Sequence, residues 1–369
     1  MSSVTTRTMT AYRFVPSKHN PVPEIIPVPI PTEGQVLVRV LAAGVCHSDV
    51  GILIPGGALS HFVPPTIFTL GHEGAGIIAE LGPSVASTFP QLKIGDYVAI
   101  WSGNPCQKPT CIACSRGYTN LCTIEHGIHG LRHDGSWAEY IALRASSVVP
   151  VPGTLDGIAP AIISAATDAV LTPYHAMKTS CRVQAEHTVL CMGIGGLGLN
   201  GVDIAKKCLG ARCVIACDTR SVALHDALAA GADYAVPPEQ LLSLIEEERL
   251  VVDFAFDFVG IQATFDACFA AIRPGGTIHV LGLLADTLAY TALTAMRKDL
   301  TLKSSFWGTR DELAEILQAI SDGLLKPKVD SRPMSQCIQV LDDMREGRLQ
   351  ARVALVPDAI AVRIASYKL

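Results

Sequence analysis

The chain has 369 residues, long enough for two or three compact domains each with its own core. Hydrophobic residues make up 49% and charged residues 17%, which excludes disorder as the main theme; the net charge is −5 and no Lys/Arg-rich stretch follows a phosphate backbone, which argues against nucleic acid as a partner. Apolar runs stop well short of the roughly 18 residues a membrane span needs, so the expected partner is a small molecule.

The opening residues, MSSVTTRTMTAYRFVPSK, lack the apolar core of a secretory signal, which predicts a reducing, cytoplasmic setting. Twelve cysteines are then expected as buried thiols, catalytic groups or metal ligands rather than disulfides. The first third reads as short β-branched segments cut by Gly and Pro, at 35–41, 76–81, 96–100 and 137–142, predicting an antiparallel, barrel-like β domain. Within it, NPCQKPTCIACSRGYTNLC (104–122) spaces Cys106, Cys111, Cys114 and Cys122 by four, two and seven residues. Four thiolates on one polar loop can close a tetrahedron around Zn²⁺, the pattern of a structural site. Four unrelated thiols is the bland alternative, and it fits poorly with a third of the cysteines falling in one short loop. Two further clusters, Gly44-Val45-Cys46-His47-Ser48-Asp49 and Gly71-His72-Glu73-Gly74, carry metal-ligating types, although a lone Cys or His is more often a packed core residue.

From about residue 160 the rhythm changes to alternating strands and helices. The expected order is strand 187–192, helix 199–209, strand 213–217, helix 221–230, strand 251–257, helix 263–272, the turn Arg273-Pro274-Gly275-Gly276 and strand 277–281. Such βαβ units predict an α/β domain with a parallel, doubly wound sheet. The first βα turn, Gly193-Ile194-Gly195-Gly196-Leu197-Gly198, matches G-x-G-x-x-G, and Asp218 ends the next strand twenty residues on. Glycines there admit a pyrophosphate to the helix N-terminus, and the acid accepts ribose hydroxyls. Asp218 would repel a 2′-phosphate, favouring NAD over NADP; Arg220 weakens that preference. The last 60 or so residues, with helices at 311–321 and 336–346 and a strand at 351–356, have no place in this series, and a return to the first domain would place them.

Taken in order, GVCHSD, GHEGAG, the four-cysteine lobe, GIGGLG with Asp218, DFVG at 257–260, RPGG before TIHVLGL and Ala351-Arg352-Val353 resemble the zinc-dependent medium-chain alcohol dehydrogenases over essentially the whole length. The resemblance implies a GroES-like catalytic domain from residues 1–169 and 307–369, a Rossmann NAD-binding domain from 170–306, and an active site in the cleft. Two zinc ions per chain are implied. The lobe would hold a structural one, and Cys46, His72 and Asp168 a catalytic one. Asp168 stands where many members have a Cys; its local alternative is the N-cap of a helix through 174–178. Glu73 resembles an acidic neighbour that can approach the metal, and Asp49 a carboxylate orienting a ligand imidazole.

The implied activity is reversible hydride transfer between a small or medium hydrophobic alcohol and NAD, with zinc acting on the substrate oxygen. Ser48 resembles the hydroxyl that carries the alcohol proton away. Gly51 replaces the His that completes the relay in many relatives, so His47, the ribose or water must end it. His47 and Arg352 match pyrophosphate contacts, Thr172 the nicotinamide face, and Val259, Leu281 and Leu283 the backbone around the carboxamide. Trp101 matches a substrate-pocket aromatic, with ordinary core packing as its alternative, and the loop 55–65, with His61, lies where relatives vary their substrate loop. A polyol or specialised secondary-alcohol dehydrogenase is the enzymatic alternative; a non-catalytic NAD-binding protein is the reading from another class. A homo-oligomer is expected, and the short segment between Cys122 and Gly135 favours a tetramer over a dimer.

Overall fold

The computed structural model describes residues 7–55, 59, 62–125 and 127–361. His61, with residues 56–58 and 60 of the expected specificity loop, therefore lies outside the described residues. Strand Gln35–Val45 organises the first part of the chain. Its eleven residues are almost all buried, because QVLVRVLAAGV carries apolar or small residues on both faces, and two register shifts against Glu73–Leu81 bend it. Its first half pairs antiparallel with Tyr140–Arg144 and its end with Arg352–Val356, so the C-terminal segment does return to the first sheet. The seven-stranded sheet runs Val329–Pro333, Arg352–Val356, Gln35–Val45, Glu73–Leu81, Tyr97–Trp101, Val148–Pro150, with Tyr140–Arg144 on a second edge of the Gln35 strand. Val329–Pro333 and Arg352–Val356 are parallel, an exception to the antiparallel expectation. A three-stranded antiparallel sheet of Val22–Pro27, Thr8–Phe14 and Phe68–Thr69 completes the β framework. Val36, Val38, Val40, Ile78, Val98, Ile100 and Trp137 fill the core between these strands.

The second sheet is six-stranded and wholly parallel, in the order Tyr234–Val236, Cys213–Cys217, Thr188–Met192, Val252–Asp257, Ile272–Val280, Thr301–Ser304. Thr188–Met192 and Cys213–Cys217 are buried at every position, as strands covered on both faces must be, which is why they read as unbroken apolar runs. Helices Ser221–Ala230 and Gln262–Ala271 fall where expected. Two elements differ. The helix expected at 199–209 begins earlier, at Gly196, and passes into a π-helical turn at Ile204–Cys208, because the glycines of the turn are themselves its first residues. Arg273 to Gly276 do not precede the last long strand but bulge out within it, pairing jumping from Ile272 to Thr277 with Gly275 at φ +71°.

The described chain divides into two compact units: residues up to Asp168 with Thr309–Ser321 and Lys328 onward, and Ala169–Gly308 with Asp322–Pro327. None of the described helices is long and apolar enough to cross a membrane, and all twelve cysteines are free.

Candidate functional site

Three segments of the first unit converge on one buried cage. Cys46 follows the Gln35–Val45 strand and caps helix His47–Ile52, where Asp49 Oδ2 accepts the Cys46 backbone N–H at 2.8 Å. His72 immediately precedes strand Glu73–Leu81. Asp168 comes from the middle of a helical run that starts at Pro160 and continues to Ser180, within a π-helical stretch at Ala166–Val170. The helix-start alternative for Asp168 is thereby overturned: Pro160 occupies the first turn, and Asp168 lies two turns in. A π-helical turn shifts the register of side chains around the axis and recurs at functional sites.

Cys46 Sγ lies 3.3 Å from Asp168 Oδ2, and His72 Nε2 lies 3.8 Å from the same oxygen. Ligand atoms of Cys46, His72, Glu73 and Asp168 all fall within 4.8 Å of one another, and all four residues are buried. On the far side of the ring, His72 Nδ1 faces Asp49 Oδ1 at 3.3 Å. Arg352, 5% exposed, sends Nη2 to Asp168 Oδ2 at 2.9 Å and ion-pairs with Glu73. Burial opposes charge on His72, but the Asp49 carboxylate and hydrogen bonds with Asp168, Asp49 and Cys46 outweigh it and hold the ring's pKa well above its ordinary value. A thiol and two carboxylates thus converge on one point, with the Arg352 guanidinium beside them balancing part of their charge and His72 Nε2 turned toward the same point. That donor set of one sulfur, one nitrogen and carboxylate oxygen fits Zn²⁺.

The lobe forms a second cluster. Cys106 and Cys114 sulfurs are 3.9 Å apart, and Cys111 and Cys122 sulfurs 4.0 Å. A tetrahedral zinc with Zn–S of ~2.3 Å needs sulfurs roughly 3.8 Å apart, so the four fit a closed site. Backbone N–H groups of Cys106 and Glu125 point at Cys122 Sγ, and those of Cys114 and Thr123 help lower the Cys111 thiol to about 5. Apart from the cysteines, only Ala113 is buried in the lobe's own small core, which a metal would have to supplement.

In the second unit, Gly193 takes φ +87° and Gly198 packs so closely on it that a Cβ would lie 1.8 Å from Gly193 O. A Cβ on Gly195 would meet nothing, leaving open space at the start of helix Gly196–Asp203, as a phosphate cradle requires. Leu197 lies in the first turn of that helix. Asp218 Oδ2 accepts the Ile194 N–H at 2.7 Å, and Arg220 reaches both Asp218 oxygens and the Ile194 carbonyl. Burial would raise the Asp218 pKa, but the Arg220 side-chain and backbone bonds and the Ile194 N–H hold it below the ordinary carboxylate value.

Other expected residues are less uniform. Ser48 Oγ lies 3.7 Å from Cys46 Sγ, and His47 is exposed. Trp101, opposite Glu73 in the sheet, is 1% exposed and packs against Gly103. Thr172 and Leu281 are buried, whereas Leu283 is exposed. Next to Gly51, Leu59 fills the space a side chain would take, a Cβ lying 2.7 Å from its Cδ1. Sequence reasoning missed Asp257, whose Oδ1 accepts the Val259 and Gly260 N–H groups and so shapes the DFVG turn. It also missed the Glu73 partnership of Arg352 and the packing role of Trp137. An acid opening DFVG was visible as a signal; the other two depend on contacts hundreds or tens of residues apart.

Comparison with known proteins bears on these features. The family model described as alcohol dehydrogenase GroES-like domain matches residues 32–153, and the one described as zinc-binding dehydrogenase matches 196–322. An alcohol dehydrogenase from Geobacillus stearothermophilus is 32% identical over 328 residues, 88% of this chain and 93% of that one. The structure of acetophenone reductase from Geotrichum candidum, in complex with NAD, aligns with a TM-score of 0.83 and 31% identity, covering 95% of this chain and 98% of that one. The alcohol dehydrogenase of Aeropyrum pernix aligns with a TM-score of 0.82 and 29% identity, over 94% of this chain and all of that one.

Proposed function

This chain belongs to the medium-chain alcohol dehydrogenase family, with a GroES-like domain and a Rossmann-type sheet, and on that premise we propose a residue-level account of its NAD-dependent interconversion of an alcohol with an aldehyde or ketone. The carrying observation is the cage of Cys46, His72, Glu73 and Asp168. When bound, zinc there supplies Lewis acidity toward the substrate oxygen, and NAD supplies the hydride acceptor. Cys46, His72 and Asp168 are the proposed ligands. Glu73 is the alternative donor held back by Arg352, and Asp49 orients the His72 ring. Arg352 therefore serves the cage in this account, alongside the pyrophosphate contact implied for it. Ser48 Oγ takes the proton from the substrate hydroxyl. With Leu59 packed beside Gly51, that proton continues through the cofactor ribose, water or His47.

Gly193, Gly195 and Gly198 admit the pyrophosphate, and Asp218 receives the ribose hydroxyls. Arg220, spent on Asp218 and Ile194, leaves NAD preferred over NADP. The lobe cysteines hold a second, structural zinc, making two per chain. The substrate proposed is a small or medium hydrophobic alcohol; the name of the acetophenone reductase relative supports a secondary alcohol and its ketone within that class. The proposed setting is reducing and cytoplasmic, where thiolates are available as zinc ligands. A homo-oligomer, a tetramer by the short 122–135 segment, is supported by the exposed edge strand Thr301–Ser304 and the exposed Leu293 and Met296 beside it in sequence.

The test is metal content with turnover. Zinc falling from two to one per chain in Cys46→Ser, with loss of NADH formation across primary, secondary, benzylic and polyol substrates, is the expected result. One zinc in the unaltered chain and no turnover on any alcohol would instead identify a non-catalytic NAD binder.

A further inference from the structure

Cys46 and His72 arrive at the cage from different parts of the first unit, and something must hold their spacing. Cys46 follows the long strand Gln35–Val45, while His72 follows the two-residue strand Phe68–Thr69 and a glycine. Short unsupported loops do not hold a metal cage to a few tenths of an ångström.

Residues 135–137 brace the second of these segments by three backbone bonds. The N–H groups of Gly135, Ser136 and Trp137 donate to Thr69 O, Gly71 O and Leu70 O, each at 2.8 Å. The Trp137 side chain, 0% exposed, then reaches the first segment, its Nε1–H donating to Gly44 O at 3.1 Å, two residues before Cys46. The same ring lies flush against Gly71, one residue before His72: a Cβ on Gly71 would fall 2.1 Å from Cδ1 and 2.7 Å from Nε1. Gly71 also takes φ +92°, a conformation that suits glycine alone. A single indole therefore touches the backbone on the approach to both ligands. Any buried indole needs an acceptor for its N–H, but it need not find that acceptor beside one ligand while its ring lies on the backbone beside another. Here the acceptor is Gly44 and the ring lies on the glycine at 71, and both lead to the cage.

We infer that Trp137 is a positioning residue that fixes the separation of Cys46 and His72 through its contacts with Gly44 and Gly71. It touches no reacting atom. The inference rests on the cage reading above, and its readout is metal retention rather than turnover.

Trp137→Phe keeps a ring in the core and removes the N–H donor. Transfer of zinc to the chromogenic chelator 4-(2-pyridylazo)resorcinol is followed in the full-length protein, with Ile141→Val, a buried change in the same core remote from Gly44 and Gly71, as the packing control. The expected result is cage zinc leaving about 10-fold faster in Trp137→Phe. The lobe zinc should be retained, and Ile141→Val should release at the unaltered rate even at an equal loss of Tm. A changed ligand-field spectrum of the cobalt-loaded variant is expected alongside. Trp137→Tyr serves in the same way if the Phe variant does not fold. Release at the unaltered rate, or equally fast release from Ile141→Val, overturns the inference while leaving the cage reading intact. Zinc content unchanged by Cys46→Ser overturns the cage reading and this inference together.

Discussion

Asp168 shares one oxygen among Cys46, His72 and Arg352, so its charge enters every balance in the cage. Asp168→Asn keeps the shape and removes the charge. The expected outcome is zinc content falling from two toward one per chain and NADH formation falling by at least about 100-fold, read by elemental analysis and absorbance. A second residue-scale expectation concerns Asp218 and Arg220. Asp218→Ser frees Arg220 from both carboxylate oxygens and removes the charge that repels a 2′-phosphate. The ratio of kcat/KM for NADP to that for NAD should rise at least about tenfold, a gain of roughly 1.4 kcal/mol in discrimination; an unchanged ratio would mean that neither side chain reads the ribose. Ser48→Ala belongs here as well. It should slow proton release and make the rate depend on buffer, and an unchanged rate removes Ser48 from the relay.

Elements decide how these residues are presented. Pattern reading found the long central strands and placed Cys213–Cys217 and Ser221–Ala230 to the residue, but it passed over Thr8–Phe14, Val22–Pro27, Val148–Pro150, Tyr234–Val236, Thr301–Ser304 and Val329–Pro333, edge or short strands with weaker patterns. It erred where backbone bonds were diverted. The strand expected at 137–142 starts only at Tyr140, because residues 135–137 spend their N–H groups on 69–71. Nothing in the local sequence announces that partner. Strand Ile272–Val280 carries its own testable feature. His279 is 0% exposed, with neither ring nitrogen hydrogen-bonded. It packs on Phe256, and burial, then the nearby Lys303 and His175, push its pKa down to about 4. The unfolded chain, with a His near ~6.5, binds the extra proton first. Stability from this residue is therefore complete above about pH 6.5 and is lost as pH falls toward 4, at most of order 3 kcal/mol. Melting temperatures at pH 7 and pH 5 should differ less in His279→Phe than in the unaltered chain; an equal difference would assign the acid sensitivity elsewhere.

For the whole molecule, the course of the chain matters more than any one element. Val45 pairs with Val353 and Ala43 with Leu355, contacts about three hundred residues apart, so the first unit is completed only when the C-terminal segment arrives. Arg352 enters the cage on that segment, which ties the cage to completion of the sheet. At the other end of scale lies self-association. Leu293 and Met296 are 65% and 75% exposed, and Thr301–Ser304 is an edge strand with its side chains in solvent. Replacing Leu293 and Met296 together with Asp should lower the mass found by light scattering if this edge joins copies, whereas an unchanged mass places the contact elsewhere.

The sequence alone carried the motifs whose chemistry is written in spacing: four cysteines in seventeen residues, glycines at fixed intervals before an acid, and alternating strands and helices that demand a parallel sheet. Local periodicity and turn chemistry suffice for these because the interacting residues are neighbours along the chain. Tertiary structure decided what depends on distant partners. It set Asp168 inside a helix instead of at its start, paired Arg352 with Glu73, packed Leu59 beside Gly51, and laid Trp137 against Gly44 and Gly71. Burial and charge act through space, and no local pattern records which residues, tens or hundreds of positions apart, will share a buried pocket.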